Sequence, residues 1–372
     1  MAWNKFRHKI EGLLEFADVK IGGDRPWDIQ IHNEDLYARV MTEGSLGLGE
    51  AYMDGAWDCL ELDEFFYRVW RTQLDSGVRP WRKVFAFLQA RVFNLQKPSR
   101  AFEVGQRHYD IGNDLYQCML DRRLIYSCGY WKDASNLDEA QEAKLDLICR
   151  KLNLEPGMRV LDTGCGWGGT AQFAAERYGV EVVGITVSKE QVKFGKELCQ
   201  GLPVEIRLQD YRRVEEKFDR ILSVGMFEHV GYRNYGTFMR LARRCLKDEG
   251  LFLLHSIGGT RSNIRGDPWL QRYIFPNAML PSAKQISGAM EGTFMLEDWH
   301  NFGADYDKTL MEWFRNFHAC WDGLKDRYDE RFYRMWKYYL LATAGSFRAR
   351  RTQLWQLVLS PSGVPGGYRA SR

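Results

Sequence analysis

The chain has 372 residues and contains no apolar run near the ~18 needed to cross a bilayer. Any membrane contact is therefore expected to be peripheral. Its eight cysteines are scattered, with no C-x-x-C pair and no zinc-site spacing, which favours free thiols in a reducing compartment over a disulfide frame. No metal is expected. The opening stretch MAWNKFRHKIEGLLEF is interrupted by charge too often to read as a signal peptide. The net charge of +3 is too small to point to nucleic acid. Internal repeats and low-complexity tracts are absent as well.

Hydrophobic residues at 45% and charged residues at 27% give an ordinary globular balance. Aromatics are plentiful, at 14% with 13 Trp. That fits an aromatic core, or a large apolar cavity or lipid-facing surface, where rings with one wet end sit well. The charge is also uneven: Arg79, Arg82, Lys83, Arg91, Lys97, Arg100 and Arg107 face a single acid, Glu103, so this segment carries +6.

Residues up to about 90 mix short helical and turn patterns. Gly44, Gly47 and Gly49 are expected to break the chain into turns before an aromatic helix, LDEFFYRVW. A small helical domain over residues 1–90 is expected. Within RPWRKVFAFLQARVF, apolar residues recur at helical spacing among basic ones. Such a helix suits an anionic lipid surface or an interdomain position equally. Residues 91–105, with NLQKPSR at their centre, read as a linker, and 106–372 as the second domain. There, from about residue 140, helices and strands alternate: AQEAKLDLICRKLNL, MRVLDTG, GTAQFAAERYG, VEVVGITV, SKEQVKFGKELCQGL, VEIRLQD, FDRILSVG, GLFLLHSIG and, near the end, TQLWQLVLS. This predicts an α/β fold with a parallel, doubly wound sheet whose ligands lie at the carboxyl ends of the strands.

In VLDTGCGWGG a buried strand breaks into a glycine loop, and Gly164, Gly166 and Gly169 fit the dinucleotide fingerprint. That fingerprint needs an acid at the end of the next strand to hold the ribose hydroxyls. The strand ends VVGITVSKEQ, with no acid where it leaves the sheet. Asp162, two residues before the first glycine, would face the cationic end of S-adenosylmethionine better than a pyrophosphate. The loop alone favours methyl transfer and leaves nicotinamide chemistry open.

The rest of the chain narrows the choice. HYDIGNDLY, YSCGYW, VLDTGCGWGG, ITVSKEQ, LQDYR, SVGMFEHVG, LLHSIG, YIFPN and EDWHNFGADYDKTL occur in this order. Together they closely resemble the cyclopropane-fatty-acyl-phospholipid synthases, relatives of the mycolic acid methyltransferases, over nearly the whole chain. The resemblance implies a class I S-adenosylmethionine-dependent methyltransferase domain behind a smaller, mainly helical lipid-engaging domain. It implies transfer of a methylene group from S-adenosylmethionine to a cis double bond of an unsaturated phospholipid acyl chain, through a carbocation deprotonated by a bound bicarbonate. It further implies a homodimer in the cytoplasm, at the inner face of the membrane, and no nucleic-acid partner.

By motif, the bicarbonate cage implied is Cys128, Glu228, His255, Ile257 and Tyr306. Bicarbonate offers one donor and several acceptors, so a carboxylate can take its hydrogen while His, Tyr and backbone N–H groups donate. For S-adenosylmethionine the implied residues are Tyr126, Ser127, Asp162, Gly164, Gly166, Thr186, Ser188, Gln191, Asp210 and Tyr211. His229 adjoins Glu228 without joining the cage, and Tyr211 is expected near the adenine. Arg348, Arg350 and Arg351, like the Arg79–Arg107 segment, are candidates for phospholipid headgroups. A relative that leaves a methyl branch, a lipid-binding protein with a vestigial fold, and an oxidoreductase are the alternatives.

Overall fold

A computed structural model describes residues 2–72 and 112–372. The basic segment Arg79–Arg107, the amphipathic helix expected within it and the 91–105 linker lie outside the described residues. The chain forms two compact units that are not consecutive in sequence. Of the described residues, the first unit holds 2–72, 264–276 and 306–352, and the second holds 112–263, 277–305 and 353–372. This differs from the expected single cut, because two later stretches join the N-terminal residues.

The first unit is mainly helical, as its periodicity suggests. Helices Asp35–Glu43, Ser45–Met53 and Leu62–Arg71 surround a short antiparallel ribbon of β1 (Ile29–Ile31) and β2 (Trp57–Cys59). The helix Glu330–Arg348 completes this core, with Tyr338 stacked edge-on to Phe66 and tilted against Tyr52. Its Gly345 lies so close to the helix Leu62–Arg71 that an added Cβ would sit 2.5 Å from the Asp63 carbonyl oxygen. The run RFYRMWKYYLLATAGSFRARR reads as a long basic helix rich in aromatics, but nothing local says which core it joins. Of the three glycines expected to make turns, only Gly44 does, with φ of 63° between two helices. Gly47 and Gly49 are buried within the helix Ser45–Met53. A Cβ on Gly49 would fall 2.4 Å from the Trp269 ring, so this glycine serves close packing.

Arg348 corrects a second expectation. Its guanidinium pairs with Asp63 at 2.8 Å and Asp307 at 2.9 Å, with Glu64 at 3.4 Å. Three carboxylates absorb a charge that the sequence left available for headgroups.

The second unit is built on a seven-stranded sheet in the order β5-β4-β3-β6-β7-β9-β8. The strands are β3 (Arg159–Thr163), β4 (Glu181–Thr186), β5 (Val204–Leu208), β6 (Phe218–Val224), β7 (Leu246–Gly259), β8 (Met295–Asn301) and β9 (Thr352–Ser360). Strands β3 to β7 pair in parallel, whereas β8 pairs antiparallel with β9. The sheet is therefore mixed, and β8 lies in the Pro- and aromatic-rich stretch after GLFLLHSIG, where the sequence departs from simple alternation. Successive residues of the central strands serve opposite faces, as a pleat requires. Leu161, Ile221, Phe252 and Leu254 enter one apolar cluster, while Val160, Leu222, Leu251 and Leu253 enter the other. Burial on both faces explains the near-continuous apolar runs. Six cysteines, among them Cys128, are buried thiols.

Candidate active site

The order of strands reverses at β3, between β4 on one side and β6 on the other, and the glycine loop springs from that point. Gly164 and Cys165 donate their N–H groups to the Ile185 carbonyl at 2.9 and 3.0 Å, fixing the loop to the end of β4. Gly164 has φ of +84°, and a Cβ there would meet Met226 at 2.8 Å. Gly166 also lies in the left-handed region, and Gly168 leads into the helix Gly169–Tyr178. The loop thus ends on a helix N-terminus with little side chain in the way of a ligand.

Asp162 sits on β3, only 1% exposed, and its Oδ2 has no hydrogen-bond partner among the described residues. Burial raises its carboxyl to about 7, against the opposing pull of Lys144. Such a group has Lys144 within electrostatic reach but no ion pair among the described residues, and the amino group of S-adenosylmethionine is a fitting partner.

Beyond β4, the turn is wired by side chains. The Thr186 hydroxyl donates to Gln191 Oε1 at 2.7 Å, Ser188 N–H donates to Thr186 Oγ1 at 3.2 Å, and Ser188 Oγ caps the helix Lys189–Leu198 by accepting from Gln191 N–H at 3.3 Å. A hydroxyl and amide network thus stands where a dinucleotide site would hold its acid. Asp210 accepts from the Arg212 backbone at 2.9 Å and from its guanidinium at 2.8 Å. Tyr211 packs edge-on against Phe238 at 5.3 Å, with the Arg212 guanidinium 4.7 Å from its ring centroid.

Glu228 and His255 share the carboxyl edge of β6 and β7. Val224 pairs in register with His255, and Gly225 N–H donates to the His255 carbonyl at 3.0 Å. Glu228 opens the helical turn Phe227–Val230, and its Oε1 accepts from Ile257 N–H at 2.6 Å. Its Oε2 is buried without a partner among the described residues, and burial lifts the carboxyl to about 7. Burial, reinforced by Lys144 and Lys151, drives His255 well below the ordinary histidine range, so its ring is neutral. Its Nδ1 faces Gln356 Nε2 at 3.2 Å, which can only donate. The ring proton is thereby assigned to Nε2, an atom buried without a partner among the described residues. An orphan acceptor and an orphan donor at one sheet edge suit an anion bearing its own O–H. The Ile257 amide, expected to bind that anion, instead holds Glu228. His229 is half-buried, and burial lowers it to about 4.

The loop Tyr126–Trp131 is clamped along the helix Leu137–Lys151. Tyr130 N–H donates to the Ala140 carbonyl at 2.8 Å, Trp131 N–H to Asp305 at 2.7 Å, and Gln141 Nε2 to the Ser127 carbonyl at 2.7 Å. Gly129 lies against Ala140 so closely that a Cβ would stand 2.9 Å from the alanine methyl. Cys128 is fully buried, its thiol 3.1 Å from the Gly129 carbonyl. Tyr126 meets Tyr116 at 5.3 Å, and Tyr116 meets Trp167 at 4.8 Å, forming an aromatic wall beside the glycine loop. Phe302 packs edge-on to both His255 and Tyr130.

Glu228 is therefore bonded to Ile257, two residues beyond His255 on β7, and Asp162, Gly164, Thr186, Ser188 and Gln191 line the neighbouring strand ends. Tyr306 belongs to the first unit, where its ring lies 4.5 Å from Phe347 and 5.9 Å from Trp313. The sequence reading missed Gln356, Phe302, Gln141 and Lys144. One signal was visible: Lys144 and Lys151 occupy the apolar stripe of their helix with Ala140 and Ile148, and both are wholly buried.

Sheet order, glycine loop and unpaired acid define a class I S-adenosylmethionine-dependent methyltransferase. The profile of the mycolic acid cyclopropane synthetase family matches residues 96–357, and the chain belongs to that family. The cyclopropane-fatty-acyl-phospholipid synthase of Escherichia coli K12 is 55% identical over 361 residues, spanning 97% of this chain and 94% of that one. Among solved structures, the cyclopropane synthase MmaA2 of Mycobacterium tuberculosis superposes with a TM-score of 0.66 at 30% identity, covering 72% of this chain and 99% of its own. The mycolic acid cyclopropane synthase CmaA1, complexed with SAH and CTAB, gives 0.65 at 34%, covering 69% and 97%.

Proposed function

We propose that the chain is a cyclopropane-fatty-acyl-phospholipid synthase, acting on a cis double bond in an unsaturated phospholipid acyl chain. The observation that carries this reading is the pair of orphan polar atoms, Glu228 Oε2 and His255 Nε2, at the strand ends beside the glycine loop. Similarity to the Escherichia coli synthase along almost the full length supports the substrate class.

When bound, S-adenosylmethionine supplies an electrophilic methyl on a sulfonium, and Asp162, the glycine loop and the Thr186–Gln191 network hold and orient it. An alkene is a weak nucleophile, so alignment with that methyl is the main task of the protein. Attack leaves positive charge on the acyl chain, which water would trap, and the aromatic rings at this edge exclude water and offer π faces to the cation. Loss of one proton from the transferred carbon then closes the ring, so the lipid gains CH₂ and loses its double bond. When bound, bicarbonate supplies the proton acceptor. Ionised Glu228 would accept its hydrogen while His255 Nε2–H donates to its oxygen, and Ile257 keeps the carboxylate in place. Cys128 and Tyr306 join this proposal through their motifs. The homodimer, the peripheral membrane position at the cytoplasmic face and the lipid-engaging role of the first domain are parts of the same proposal.

The test is incubation with unsaturated phospholipid vesicles and labelled S-adenosylmethionine, with and without added bicarbonate. The expected product is an acyl chain carrying one additional CH₂ and no alkene, formed faster with bicarbonate. A methyl-branched product, or turnover indifferent to bicarbonate in a depleted buffer, would overturn the corresponding part.

A further inference from the structure

Lys144 is a wholly buried cation for which the proposed chemistry has no use. It lies on the helix Leu137–Lys151, whose inner face also presents Gln141. Its ammonium donates to Ser127 Oγ at 2.9 Å, and among the described residues that is its one hydrogen bond. An ammonium has three N–H donors, and burying them unpaired is costly. Ser127 is itself only 6% exposed. With one Oγ lone pair taken by Lys144, its own O–H is left to donate outward. Gln141 fixes the same residue from its other side, through the Ser127 carbonyl.

The charged and titratable groups facing Lys144 come from several elements. Asp121 lies in the turn before the loop, Cys128 on the loop, Asp162 on β3 and His255 on β7. Asp121 is engaged locally, accepting from Arg123 N–H at 2.9 Å and Ile125 N–H at 2.8 Å. Asp162 is matched above to a ligand's cationic amino group. Lys144 thus brings positive charge from its helix into electrostatic reach of Asp121, Asp162 and His255, and among the described residues it makes no ion pair with a carboxylate.

We propose that Lys144 is a positioning residue for the methyl donor: acting through Ser127, it makes the Tyr126–Cys128 loop a receptor for the donor's carboxylate, while Asp162 receives its amino group. This rests on the methyl-donor reading of the site. The amino-acid end of the ligand is then held by two buried charges of opposite sign, which selects a zwitterion over an uncharged adenosine compound. Charge on Lys144 polarises the Ser127 hydroxyl and strengthens its donation to a carboxylate.

The experiment is calorimetric titration with S-adenosylhomocysteine from neutral to alkaline pH, using the full chain and the variants Ser127→Ala, Lys144→Met and the double variant. Burial lowers Lys144 to about 8, so wild-type affinity is expected to fall as pH rises through that value. Ser127→Ala, a small change that spares the packing, should weaken binding about tenfold at neutral pH and make the alkaline decline shallower, leaving only the part due to the ligand's own amino group. Lys144→Met should do the same, and the double variant should be no weaker than the weaker single one. An alkaline decline as steep in Ser127→Ala as in the wild type, wild-type affinity in a folded Lys144→Met, or multiplying effects would each overturn the proposal. Failure of the wild type to bind the probe at any pH would instead overturn the methyl-donor reading. Binding of 5′-methylthioadenosine, which lacks the amino-acid end, should be unaffected by either variant, and an equal loss there would also sink the inference.

Discussion

Gln356, on β9, donates its side-chain amide to Nδ1 of His255, on β7, at 3.2 Å. A neutral imidazole has one N–H, and this contact decides which nitrogen carries it. Gln356 is wholly buried, so the assignment is not shared with solvent.

Gln356→Glu should therefore damage turnover without touching the methyl donor. A carboxylate would accept from Nδ1–H, moving the proton away from Nε2 or charging the ring. We expect kcat to fall on the order of 10²-fold while the KM for S-adenosylmethionine stays unchanged. Steady-state kinetics on vesicles, with the ring tautomer read by nitrogen NMR, would check both halves.

Glu228→Gln should separate stability from activity. The carboxyl titrates at about 7 in the fold against an ordinary 4.5, so the folded state holds its proton across the interval in which the unfolded chain loses it. Stability attributable to this site is full below the unfolded value and declines as pH rises towards 7. Removing the ionisable group should raise stability above neutral pH by about 3 kcal/mol, whereas turnover should drop sharply. Thermal melts on either side of neutrality, paired with product analysis, would show it.

Asp162→Asn should weaken S-adenosylmethionine binding and flatten its acid limb. The wild-type carboxyl is raised to about 7, so affinity for a cationic amino group should rise as pH passes upward through that value. The asparagine variant should bind on the order of tenfold more weakly at neutral pH and lack this rise. Calorimetric affinities over the acid range would measure it.

Gly258→Ala is expected to destabilise the fold by about 1–3 kcal/mol. A Cβ there would stand 2.0 Å from the Trp355 ring, and Trp355 precedes Gln356 on β9. Displacing that ring should also loosen the His255 contact, so kcat should fall along with the melting temperature.

Much of this was legible from the chain. The parallel strands β3 to β7 were visible because burial on both faces leaves uninterrupted apolar runs, and the glycine loop because its φ values admit little else. Strand β8 was not, since Met295 and Leu296 are exposed and Asp298 is buried, an inversion of the usual alternation. Asp298 takes that place because Lys151 and Arg372 pair with it at 3.2 and 2.5 Å. Glu228 and His255 were found through motifs, but their partners were not. Gln356 lies 101 positions from His255, and no local pattern carries such a pairing. The buried lysines were readable as cations in an apolar stripe. Arg348 was misread because its three carboxylate partners come from two distant helices.

The first unit borrows its closing helix, Glu330–Arg348, from near the end of the chain. A ribosome delivers the opening helices long before the partner that covers Phe66 and Tyr52, so those aromatic faces must wait through most of translation. Cutting the gene after the N-terminal ninety codons would consequently strand both products, one lacking its lid and the other carrying a helix with nothing to cover.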